Sequence, residues 1–276
     1  MAKDDHFYRP MGKHAPDTIV SASRGHHSML RRQPAHGFSE RSMRPQEPIF
    51  RKYVHLLVRR LEGNSDNGRV PLDMRAWFNY VTFDVIRNLS FGSDFSCLEK
   101  SQAHPWVDAV TFRLARRRHY AGHDASHAPL VHSMGEIQVN ASVLVLAGSG
   151  TTATLFSCAF YLLGTYLHIL VQVIQEVRSA FGSEEEIDLI SVSRLGYMLA
   201  CLKESLRLYP PATPGLPRVV PKGGIDIAGH YVPQDNFTRL DDFRPERFLG
   251  EPELADDDLK AMQPFSVEPW NCIGME

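Results

Sequence analysis

Apolar residues recur at helical spacing through most of this chain. Between Glu47 and Leu61 they fall at Ile49, Tyr53, Leu56, Leu57 and Leu61, which predicts an amphipathic helix. The small polar run from Gly63 to Gly68 reads as a turn. A second helix is expected over Leu72 to Leu89, with Trp77, Tyr80, Val81 and Val85 toward a core. The Phe91 to Asp94 stretch stops it. A third is expected over His104 to Arg118, closing in a basic run, after which His119 to Ser133 has poor pattern. A long apolar helix follows at Val143 to Leu163, then a polar-faced one over Val171 to Phe181. A last helix runs from Leu195 to Leu208 and is stopped by Pro210 and Pro211. Alternating apolar positions among Pro and Gly from Gly215 to Val232 predict short strands. The segment before about Ser39 is expected to be largely irregular. The last forty residues read as loop with one or two short helices. The fold class is therefore mainly α with small β elements.

The long apolar helix allows two readings. No Asp, Glu, Lys or Arg interrupts the chain between Glu136 and Glu176, and residues 143–163 have the length of a bilayer span. A helix buried in a large helical protein is equally apolar on every side. Ser149, Gly150, Thr151, Thr152 and Thr154 form a cluster of small polar residues that suits a ligand-facing groove. The first thirty residues lack the apolar stretch of a signal or an amino-terminal anchor.

Composition narrows the function. A hydrophobic share of 43% with 22% charged residues is that of a globular protein. The net charge of −2 gives no electrostatic reason to expect nucleic acid. Cys97, Cys158, Cys201 and Cys272 are scattered, which suits a reducing compartment rather than a disulfide framework. His119, His123 and His127 are spaced four apart, but Gly122 disfavours a helix there, so no metal site is expected. Asn88, Asn140 and Asn236 fit the glycosylation pattern and carry no weight without secretion.

Four stretches carry the chemistry: Ala147 to Thr152, Glu204 to Arg207, Pro245 to Phe248, and Phe265 to Gly274. Glu204 and Arg207 sit three apart, so on a helix they share one face. In this order the stretches resemble the oxygen-binding helix, paired-charge helix, arginine segment and cysteine loop of a cytochrome P450, a haem-thiolate monooxygenase. The resemblance runs from about Gly25 onward and looks closest to fungal secondary-metabolism members.

The resemblance implies roles. Cys272 is the axial ligand of the haem iron, a thiolate that favours O–O cleavage. Thr151 helps deliver protons in oxygen activation, and Gly148 is the small residue that makes room for oxygen. His27, Arg31 and Arg218 contact haem propionates, with Arg31 one turn beyond His27. Glu204, Arg207 and Arg247 form a structural charge network behind the haem. The chain departs from the family pattern at three positions. Gly150 stands where an acid relays protons. Glu268 replaces a Gly that lets the backbone turn tightly. Trp270 replaces an Arg that pairs with a propionate.

The expected organisation is an irregular segment over residues 1–24 and an incomplete cytochrome P450-like domain over 25–276. Its roof helices, amino-terminal anchor and carboxy-terminal helix have no match in the sequence. The implied function is haem-dependent monooxygenation of a lipophilic small molecule, by hydroxylation, in fungal secondary metabolism. An NADPH-dependent reductase is the implied partner, and the endoplasmic reticulum membrane surface the implied location, with the cytoplasm as the alternative in the absence of an anchor. Two other readings stand beside it: a non-catalytic remnant unable to bind haem, and a small single-span membrane protein using residues 143–163.

Overall fold

A computed structural model describes residues 2–3, 8, 16–66, 68–107, 134–212, 218–219, 241–266 and 272–273. The chain divides into two compact units, one of residues 1–150, 215–228 and 276, the other of residues 151–214 and 229–275. The expected helix from His104 enters the described residues only as far as residue 107, and residues 119–133 lie outside them.

In the first unit, helix α1 (Arg24–Ala35) occupies part of the segment expected to be irregular. Its sequence is so polar that no apolar stripe announces it. It is held instead by the burial of Leu30 and His27, three apart on one face. Strand β1 (Ala2–Lys3) also lies in that segment. It pairs antiparallel with β2 (Arg218–Val219), Ala2 opposite Val219. The second strand falls inside the region whose alternation predicts short strands.

Helix α2 (Glu47–Ser65) and helix α3 (Met74–Phe91) match the two periodic segments. Asp73 caps α3, accepting from the N–H groups of Arg75 and Ala76, and Gly92 ends it at a φ of 71°. Tyr53, Trp77, Val81 and Leu98 make one core cluster, and Phe83, Phe95, Cys97, Val107 and Val145 another. A buried carboxylate on α3 shapes the loop after it. Asp84 accepts from the backbone N–H of Phe95 and Cys97, both at 3.1 Å, and of Leu98 at 2.9 Å. Asn140 does similar work for the segment before α1, accepting from the Ile19 N–H at 2.7 Å and donating to the Asp17 carbonyl at 3.3 Å.

Helix α4 (Met134–Thr165) is longer than the apolar run that predicts it. Among the described residues, only its Val139–Thr165 stretch is long and apolar enough to cross a membrane. The expectation of burial on every side does not hold within the units. Val145 and Ser149 are buried in the first unit, and Ala153, Ala159 and Leu162 in the second. Phe156, Phe160 and Tyr161 are exposed.

The second unit is built on helix α5 (Leu167–Ala180) and helix α6 (Gly196–Leu208). Helix α5 begins before the expected Val171 because Ile169, fully buried, starts the stripe continued by Val173 and Val177. Leu162, Ile169, Val173, Cys201 and Phe243 form the core. The Glu176 carboxylate of α5 caps α6, accepting the N–H groups of Tyr197 and Met198 at 2.8 Å each.

Candidate functional site

The most developed polar arrangement in the second unit centres on Glu204, in the last half of α6. Arg207, one turn on, donates Nε to Glu204 Oε2 at 2.8 Å and Nη2 to Oε1 at 2.9 Å, a fork on a carboxylate. Arg247, in the 3-10 turn Pro245–Phe248, donates Nε to Glu204 Oε1 at 3.2 Å. The Arg244 backbone N–H reaches the same oxygen at 3.1 Å. Arg207 Nη2 also donates to the Asp242 carbonyl at 3.2 Å. The side chains of Glu204 and Arg247 are wholly buried, and that of Arg207 is 4% exposed. A buried charge is tolerated only when paired and hydrogen-bonded, and here every charge has its partner. Arg247 Nη1 makes a further ion pair with Asp257, a residue that the sequence reading missed. Neither spacing nor periodicity singles out one Asp from the Asp256 to Asp258 run.

The cysteine loop is closed by a hydrogen bond from the Cys272 N–H to the Phe265 carbonyl at 2.8 Å. Ser266, just inside it, has a φ of 61°, so the chain turns through the left-handed region at once. Cys272 is exposed, whereas Cys97 and Cys201 are buried. Burial, helped by nearby carboxylates, pushes the Cys97 and Cys201 thiols up to about 12, and burial also raises Cys158. Thiolate chemistry near neutral pH is closed to Cys97 and Cys201, which behave as core residues. Glu268, Trp270, Asn271 and Gly274 lie outside the described residues.

On α4, the small residues divide by environment. Gly148 faces α3 so closely that an added Cβ would stand 2.9 Å from Ile86 Cδ1. A side chain here would have to displace the tip of Ile86, so packing favours a small residue at this position. Ser149 is buried and returns its hydroxyl to the Val145 carbonyl at 2.6 Å, so it faces its own helix rather than a groove. Thr151 is exposed, and Thr152 and Thr154 are half-buried. A Cβ on Gly150 would meet nothing within 4 Å. In the first unit, His27 is buried and Arg31, one turn on, is half-buried. Arg218 lies in β2, and its side chain is outside the described residues, as are His119, His123 and His127.

Comparison with known proteins gives these features a common frame. The family profile described as Cytochrome P450 matches residues 2–115 and 122–237. The chain belongs to the cytochrome P450 family. It is 40% identical over 93% of its length to a cytochrome P450 monooxygenase (tpeC) of Talaromyces stipitatus. It is 37% identical over 94% to the Trichothecene C-15 hydroxylase of Fusarium sporotrichioides, and 37% over 94% to the Averantin hydroxylase of Dothistroma septosporum. The match spans 63%, 66% and 61% of those three proteins. Cytochrome P450 members use haem iron protoporphyrin as cofactor, and the relatives' names are those of enzymes.

The residues present fit a haem iron in chemistry. A haem iron takes a soft thiolate ligand, which needs a cysteine sulfur that the group can reach. Among the four cysteines only Cys272 is exposed, and it sits on a loop pinned at Phe265.

Proposed function

We propose that this cytochrome P450 is a monooxygenase that hydroxylates a lipophilic small molecule in fungal secondary metabolism, with Cys272 as the residue that would hold the haem iron. The observation that carries the reading is the contrast among the cysteines. Cys97 and Cys201 are buried with raised thiol pKa values, while Cys272 is exposed at the mouth of a hydrogen-bonded loop. The names of relatives that hydroxylate trichothecene and averantin support the substrate class.

When bound, haem supplies the one-electron and dioxygen chemistry that side chains lack. The chain's own residues do the rest. The Cys272 thiolate would hold the group and supply electron density to it. His27, Arg31 and Arg218 bind its propionates. By the resemblance, Gly148 would leave room for oxygen and the exposed Thr151 hydroxyl would help deliver a proton. With Gly150 standing where the family pattern has an acid, that proton relay to Thr151 would be missing and turnover would be slower. Glu204, Arg207 and Arg247 keep the polypeptide before the cysteine loop in place and touch no reacting atom. Electrons come from an NADPH-dependent reductase. The working location is the endoplasmic reticulum membrane surface, with the exposed apolar positions of α4 available to lipid.

Glu268 and Trp270 in the cysteine loop favour a second reading, a non-catalytic remnant unable to bind haem. A reduced, carbon-monoxide difference spectrum of the purified chain beside Cys272→Ala separates the two. A Soret band at the thiolate position, lost in the variant, is expected. No haem uptake, or the same unshifted band in both, would establish the remnant. Carbonate extraction tests location: release into the supernatant excludes a span by Val139–Thr165.

A further inference from the structure

The structure carries a buried charge that the paired-charge network does not account for. Arg247 has a planar fork of donors, and Glu204 engages only its Nε edge, at 3.2 Å. Nη1 is directed to Asp257 Oδ2, ten residues further along the chain. The side chain of Asp257 is 1% exposed and that of Arg247 is 0% exposed. Among the described residues, two guanidiniums (Arg207, Arg247) therefore face two carboxylates (Glu204, Asp257), and that set is neutral. Without Asp257 it would hold a surplus positive charge away from water, which a buried site does not tolerate.

Asp257 is itself fixed by local structure. Its N–H donates to the carbonyl of the buried Leu254 at 3.2 Å, and its own carbonyl accepts from Leu259 at 3.1 Å. The turn Pro252–Leu254 thus aims the carboxylate inward. On the other side, Tyr197 of α6 donates its hydroxyl to Glu246 Oε1 at 2.9 Å, so the segment is tied to α6 at consecutive residues, Glu246 and Arg247.

We infer that Asp257 is a positioning residue, the fourth member of the buried network, which clamps the segment leading into the cysteine loop onto α6. Its ion pair closes the chain between Arg247 and Asp257 against Glu204. The free path from that anchor to Phe265, whose carbonyl holds the Cys272 N–H, is correspondingly short. A loop hung from a close, charge-locked anchor samples fewer positions than one hung from Arg247 alone. The bearing of this on haem rests on the proposed role of Cys272. The clamp itself does not.

Hydrogen–deuterium exchange of the full chain tests it, comparing Asp257→Asn, Asp257→Glu and a control, Phe83→Ala, in the core of the other unit. Asp257→Asn is expected to raise exchange in peptides covering 241–266 roughly tenfold or more, leaving 74–91 unchanged. Asp257→Glu keeps the carboxylate and should recover most of the protection, and Phe83→Ala should loosen 74–91 instead. Unchanged exchange in Asp257→Asn, a uniform rise along the chain, or equal loosening in Asn and Glu variants would each overturn the inference. If Asp257→Asn does not fold, the pair Arg247→Met with Asp257→Leu decides. The double variant should lose no more stability than Arg247→Met alone, whereas additive losses would refute the coupling. The carbon-monoxide spectrum is recorded on the same samples. A Cys272→Ala protein with an unaltered band would sink the haem assignment while the exchange result still decides the clamp.

Discussion

Tyr53 donates its hydroxyl to Asp94 Oδ2 at 2.6 Å across 41 residues of sequence, joining α2 to the loop after α3. Burial raises the Asp94 carboxyl, but the hydrogen bonds from Tyr53 and Ser96 and the charge of Lys52 outweigh it and hold it below the usual carboxylate value. A depressed carboxylate contributes stability that is present above its unfolded value, about 3.9, and lost as pH falls through the lower folded one. Tyr53→Phe should cost about 1.5–3 kcal/mol at pH 7. It should also flatten the acid limb of the stability profile. Urea unfolding between pH 2 and pH 7 checks this, and parallel profiles for both proteins would contradict it.

Glu204→Gln keeps the shape of the central acceptor but removes the charge that two buried arginines share. The expected loss is about 3–5 kcal/mol, the usual cost of stranding a buried ion. Arg207→Lys should lose a smaller but clear amount, since an ammonium cannot span both carboxylate oxygens. Chemical denaturation of each variant, with the control Arg75→Lys at an exposed pair, measures the difference.

Gly148 and Ile86 form a steric pair. Gly148→Val should destabilise by about 1–3 kcal/mol through overpacking. The added Ile86→Ala change should restore part of the loss by opening the space. If Gly148→Val is as stable as the parent, the close approach of α4 and α3 is not what requires glycine there.

Gly150 has open space around it, so Gly150→Asp meets no steric barrier. The carboxylate would stand beside Thr151, where the resemblance calls for a proton relay. In the haem-loaded protein, the ratio of product formed to NADPH consumed should rise several-fold, with little change in thermal stability. An unchanged ratio would mean that Gly150 is not what limits turnover.

How far the sequence could be read depended on what kind of signal each element left. Helices α2, α3, α5 and α6 bury apolar stripes, and such stripes are visible in the order of residues. Helix α1 has almost no apolar stripe, being held by Leu30 and the polar His27, so periodicity could not find it. The network residues Glu204, Arg207 and Arg247 were legible because their spacing and neighbours resemble a family pattern. Asp257 and Asp84 were not, since each draws its importance from what folding brings to it: a guanidinium for one, three backbone N–H groups for the other. The contact of Gly148 with Ile86 likewise joins two helices and leaves no local trace.

Asn140 also sits in an Asn-Ala-Ser acceptor pattern, and in the folded protein both ends of its amide are occupied by Ile19 and Asp17. A sugar transferred to that nitrogen would occupy the group that donates to Asp17 and stand where the amino-terminal segment docks. Oligosaccharyl transfer and native docking are thus mutually exclusive fates for this side chain. A glycan on Asn140 in protein recovered from cells would therefore record that the chain met a glycosylating lumen with this segment undocked.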